Sequence, residues 1–176
     1  MHKFLMDVTQ DGGRSRLIQS LAQVAASKLK KGQDAQFQNF IAHAIHFYPD
    51  QDYLNRPSED IFWNIWGLYS FGETPFTLRA DIAHSAKVRV FNPSIEIDSW
   101  SSQYTTIYIN QRDMPFLVDS LRMALNRREL NIYTLQSNLA WTSRDADGLI
   151  EGVSAKFVEG ANHEAFISIE VDMLTD

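Results

Sequence analysis

From Arg14 to Lys31 the apolar residues Leu17, Ile18, Leu21, Val24, Ala25 and Leu29 fall three and four positions apart. That spacing lays one stripe along an α-helix, and Gly32 ends it. The next segment repeats the period with Phe37, Phe40, Ile41, Ala44, Ile45 and Tyr48, until Pro49, whose ring cannot continue a helix. A third helix is predicted from Ser58, the expected N-cap, with Glu59 and Asp60 in the first turn, where the helix dipole favours negative charge. Ile61, Phe62, Ile65, Trp66, Leu68 and Tyr69 supply its buried face. A further short helix is predicted between Pro75 and Ser85 on a weaker pattern.

After Ala86 the period shortens to two. "KVRVF" and "SIEID" alternate as strands around the turn Asn92-Pro93. Thr105 to Asn110 then reads as a strand, Met114 to Arg128 as a helix, and Asn131 to Ser143 as a long strand. "RDADG" turns the chain into strands at Leu149 to Val158 and Glu164 to Met173, the last with Ala165, Ile167, Ile169 and Val171 on alternate positions. The fold class is therefore α+β: a helical N-terminal segment, residues 1–86, followed by an α+β domain, residues 87–176, with a mainly antiparallel sheet.

With 44% apolar and 12% aromatic residues, the chain of 176 residues can bury a sizeable core. The formal charge of −6 arises from 22 acidic against 16 scattered basic residues, so no basic stripe offers itself to a phosphate backbone, and nucleic acid is not an expected partner. The absence of cysteine excludes disulfides, thiolate metal sites and a thiol nucleophile, and fits a cytoplasmic location. Neither a signal-peptide core nor an apolar run near the roughly 20 residues that span a bilayer is present, so no membrane partner is expected.

The residues that carry chemistry elsewhere do not assemble here into a recognisable centre. Asp113 precedes Met114-Pro115 at the start of the predicted helix and reads as its cap, proline being tolerated in a first turn. In a functional role the same β–α turn would offer free N–H groups to an anion, with Asp113 orienting the loop or holding a ligand amine. Asp119 lies six positions further on, too far to pair with it as an acid and base. His43 and His46, with Asp50 and Asp52 beyond, have a spacing that suits two metal ligands. Lacking a His-Glu-x-x-His motif, they read as polar-face histidines rather than the centre of a metal-dependent hydrolase. Asp145 to Gly148 begins like a calcium loop, but Lys156 stands where the bidentate glutamate is required, so a hairpin turn is predicted. Trp63 and Trp66, with Phe62 and Tyr69, read as packing. No phosphate-binding glycine loop, dinucleotide fingerprint or nucleophile elbow occurs.

From Thr105 to Ile132 the stretch "TTIYINQRDMPFLVDSLRMALNRRELNI" resembles the opening of an ACT domain, in which a strand ends in an Asp-x-Pro turn, a helix follows and a second strand begins. Together with "KVRVFNP" and "SRDADG" it is similar to the N-terminal ACT-like region of the large bacterial NAD-specific glutamate dehydrogenases. The resemblance implies an ACT-like, ferredoxin-like domain, here ending before its second helix and last strand. It implies an N-terminal regulatory or assembly region without catalytic residues, cofactor or metal of its own. NAD would belong to the full-length enzyme. The implied partners are the remaining domains of the same polypeptide, further copies of the chain in a homo-oligomer, and an amino-acid effector. The effector or interface turn would be Arg112, Asp113, Met114, Pro115 and Phe116. Ligand-binding ACT domains place glycine where Phe116 stands, so the phenylalanine is expected to plug the pocket or pack against a neighbouring domain. The N-terminal helices, or another copy, are expected to shield the sheet. The other reading is a stand-alone amino-acid-binding or protein-interaction module on an ACT-like scaffold.

Overall fold

The computed structural model of the chain describes residues 2–29, 34–46, 56–73 and 86–175. The first helices are α1 (His2–Lys28), α2 (Asp34–His46) and α3 (Ser58–Glu73). They are followed by β1 (Lys87–Phe91), α4 (Ile95–Asp98), β2 (Thr105–Arg112), α5 (Leu117–Asn126), β3 (Ile132–Arg144), β4 (Ile150–Ser154) and β5 (Asn162–Val171). The five strands form one sheet in the order β1-β2-β5-β3-β4, antiparallel throughout. The α+β class with an antiparallel sheet is as expected.

Two apolar layers follow from alternation along the central strands. Ile107 and Ile109 of β2 and Ala165, Ile167, Ile169 and Val171 of β5 point to one face, where Leu117, Leu121 and Leu125 of α5 lie over them. Tyr108 and Phe166 point to the other face, into a core built by α1, α2 and α3. There Phe37, Phe40, Phe62 and Tyr69 meet edge-on or tilted, with Phe40 5.1 Å from Phe166. Each fully buried phenylalanine contributes about 2 kcal/mol of transfer free energy. Gly72 of α3 lets the helix approach the sheet, since a Cβ there would stand 2.3 Å from the Phe166 ring. The N-terminal helices thus shield one sheet face, as expected.

Several local readings change. "SIEID" is not a strand: Ile95–Asp98 forms the short helix α4, tied by Asp98 Oδ2 accepting the Ser94 N–H at 3.1 Å and closed by Ser99 at φ 66°. An alternation this short also fits one helical turn, and side-chain bonds decide it. Helix α1 starts well ahead of Arg14, and α5 spans Leu117–Asn126 rather than Met114 to Arg128. β4 is confined to Ile150–Ser154. The turn at Asp145 is the predicted hairpin, its Oδ1 accepting the N–H groups of Asp147 and Leu149. The short helix predicted between Pro75 and Ser85 lies outside the described residues. Among the described residues no helix is long and apolar enough to cross a membrane.

Candidate functional site

The β2–α5 turn carries the candidate residues. Asp113 extends the β2–β5 ladder by donating its N–H to the His163 carbonyl at 2.9 Å, and its Oδ2 lies 3.2 Å from His163 Nδ1. Arg112 donates through Nη2 to Asn162 Oδ1 at 2.8 Å. The His163 ring stacks on Trp141 at 4.6 Å, and Phe157 meets Trp141 edge-on at 4.9 Å. Asp113 therefore does not cap the helix. The N-cap position belongs to Phe116, which makes no side-chain cap bond, while Asp119 sits in the first turn of α5, where the dipole favours it.

Phe116 holds φ 63°, ψ 15°, the left-handed region that glycine enters freely and that costs other residues about 1 kcal/mol. The glycine geometry is kept with a phenylalanine in it. Phe116 is 77% exposed and stands at the rim of the hollow that this turn forms. Met114 beside it is also exposed. The hollow at this turn, bounded by Asp113, Leu117, Val118 and Leu139, measures about 200 Å³, below the roughly 300 Å³ at which small-molecule sites begin.

On the opposite sheet face lies a buried charge cluster. Arg144 grips Glu164 through Nε at 2.8 Å and Nη2 at 2.7 Å, both side chains being at most 4% exposed. Its Nη1 donates to the carbonyls of Gly148 at 2.7 Å and of Gly72 at 3.1 Å, the latter at the C-terminal end of α3. Asn110 Nδ2 donates to Glu164 at 3.1 Å. Burial alone would raise the Glu164 carboxyl, but hydrogen bonds from Arg144, Thr142 and Asn110 together with the Arg144 charge outweigh it and hold the pKa below the usual range. Burial, reinforced by Arg144, lowers Lys87 to about 8, and its Nζ donates to the Phe71 carbonyl. A second buried carboxylate, Glu170, takes Arg56 Nη1 at 2.9 Å, Thr134 Oγ1 at 3.1 Å and Ser102 Oγ at 3.2 Å.

These clusters join α3, and Arg56 just before it, to the sheet. The side chains of His43 and His46, and residues Asp50 and Asp52, lie outside what is described. Among the described residues no group of three or more acidic or histidine side chains converges on a metal position. NAD, implied for a longer enzyme, finds no parallel-strand dinucleotide cradle among the described residues. A dinucleotide needs a close-approaching glycine turn between parallel strands, whereas this sheet is antiparallel and its β–α turn holds Pro115 and Phe116. His163, Asn162, Arg144 and Glu164 were missed by sequence reasoning because their partners stand 20 or more positions away in the chain. Only the polar alternation at Glu164 hinted at them.

A family model described as "Glutamate dehydrogenase, ACT1 domain" matches residues 40–176. The chain is 30% identical over 171 residues to the NAD-specific glutamate dehydrogenase of Halomonas elongata, covering 96% of this chain and 10% of that one. It is 40% identical over 88 residues to the NAD-specific glutamate dehydrogenase of Pseudomonas aeruginosa, covering 49% and 5%. The chain thus spans about a tenth of the length of the first of these relatives and less of the second. No solved structure matches it. The motifs around Asp113, the antiparallel sheet behind them and a match running through both make this chain a member of the glutamate dehydrogenase ACT1-domain family.

Proposed function

We propose that the chain is the non-catalytic N-terminal regulatory or assembly region of an NAD-dependent glutamate dehydrogenase. The full-length polypeptide would interconvert L-glutamate, NAD and water with 2-oxoglutarate, ammonium and NADH in the cytoplasm. The relatives' name and their greater length support this reading. So does the lack of a fit between the described residues and a dinucleotide.

Within that role, the turn Arg112 to Phe116 acts as an interface with the other domains of the polypeptide or a second copy, in preference to an effector cup. The observation that carries this is Phe116, a large apolar side chain held outward on a left-handed backbone. Strain at a non-glycine residue persists where it serves a purpose, and an exposed aromatic is the kind of anchor that interfaces bury.

The experiment compares chain 1–176 with the longer polypeptide that would carry it. Glutamate-dependent NAD reduction is expected only from the longer protein, and Phe116→Ser in that protein is expected to change its sedimentation or its regulated activity. Turnover by chain 1–176 alone would overturn the non-catalytic assignment. A Phe116→Ser protein identical to wild type in both respects would overturn the interface.

A further inference from the structure

At the end of the sheet away from the Phe116 turn, the start of α3, the segment leading into β2 and the start of β3 surround a hollow of about 470 Å³. That is inside the size range of small-molecule sites. Its wall carries Trp100 and Tyr104 from the segment before β2, and Tyr133 from β3. Trp100 is buried, while Tyr133 is half-exposed. The rings of Tyr104 and Tyr133 stack with centroids 4.1 Å apart and planes 24° apart.

Both phenols are fixed in place. Tyr133 donates its hydroxyl to Asp172 Oδ1 at 2.9 Å, and Gln103 Nε2 donates to the Tyr104 hydroxyl at 2.9 Å. Asp172 is itself held by the Asn131 N–H at 2.7 Å. A phenol that donates to a carboxylate gains electron density, which deepens the negative potential over its ring face.

The charges around the hollow leave one carboxylate over. Arg56 spends both arms of its fork on Glu170, to which Ser102 and Thr134 also donate. An anionic group entering here therefore meets no open cation. Lys28 pairs with Glu59. Asp60, in the first turn of α3 and on the wall of the hollow, has no cationic partner among the described residues. A fixed negative charge beside electron-rich ring faces is the combination that attracts organic cations.

We propose that this hollow binds a compact organic cation of the quaternary-ammonium class. The ammonium head lies against the Tyr104–Tyr133 pair, with Trp100 as the wall behind, and Asp60 supplies the counter-charge. The site goes beyond the proposed function and does not rest on it, since it uses the other end of the sheet.

Calorimetry of chain 1–176 at constant ionic strength tests it with two probes: choline, and neohexyl alcohol, which keeps the shape of choline with carbon in place of the charged nitrogen. Choline is expected to bind saturably, and the neutral alcohol more weakly by about tenfold or more, the scale of one desolvated cation–π contact. Tyr133→Leu and Asp60→Asn should each weaken choline by about fivefold or more. Asp60→Asn keeps the size of the side chain, so the test survives if Tyr133→Leu folds poorly. No saturable binding of choline by about 10 mM, well above the millimolar range of weak sites, would overturn the proposal. Equal binding of the neutral alcohol, or choline binding unmoved by Asp60→Asn, would overturn it as well.

Discussion

At Phe116 a left-handed backbone and an outward ring coincide, and the two are separable by mutation. Phe116→Gly removes the conformational cost and should raise stability by about 1 kcal/mol in urea unfolding. Phe116→Ala keeps the backbone cost and should not. A loss of stability in the glycine variant would mean that the ring makes contacts that its exposure denies. Lys87 offers a second test. Its folded pKa of about 8 lies below the ordinary lysine value of 10.5, so the folded state sheds this proton first and stability rises with pH from about 8 towards the unfolded value. Lys87→Met lacks this titration, and its stability relative to wild type should fall across the same window. The strained phenylalanine was legible only in part: the sequence places it where a family glycine stands, while its left-handed torsion and exposure depend on how β2 hands over to α5. Asp113 illustrates the complement. A local rule made it a cap, but a His163 partner 50 positions away claims it.

The junction of α3 with the sheet shows why alternation misleads at the level of elements. Along β5, Glu164, Ser168 and Glu170 occupy the positions that a one-sided sheet would give to water, yet all three are buried because α1, α2 and α3 cover that face. Buried carboxylates demand partners, and Arg144 and Arg56 supply them from β3 and from just before α3. Arg144→Met should cost about 3 kcal/mol or more by leaving Glu164 buried without its cation. The lowered Glu164 pKa fixes the sign of the acid response: its contribution is complete above the unfolded pKa near 4.5 and is lost as pH falls through the lower folded value. Urea midpoints between pH 5 and about pH 3 should drop less in Arg144→Met than in wild type. Gly72→Ala should destabilise by about 1–3 kcal/mol, since the added methyl meets Phe166 and helix propensity returns only about 1 kcal/mol. Periodicity showed which residues make helices and strands. It carried no sign of which helix lies on which strand, because that depends on contacts far apart in the chain.

At the scale of the molecule, α1, α2 and α3 share one core with one face of the sheet, joined by Tyr108 and Phe166. We propose that the change of texture near residue 86 separates elements rather than independently folding units. Residues 87–176 alone should then bind a hydrophobic dye or self-associate, because the face that meets α3 would open to water. The family and the α+β class were readable from short motifs; the hollow beside Tyr104 and Tyr133 was not, since it needs α3, β3 and the segment before β2 brought together. The central claim is that this region works through contacts at the Arg112 to Phe116 turn. Hydrogen exchange at the amides of residues 112–118, compared between chain 1–176 and the longer polypeptide, tests it most directly. Slower exchange at these amides in the longer protein is the predicted result, and equal rates in the two would contradict it.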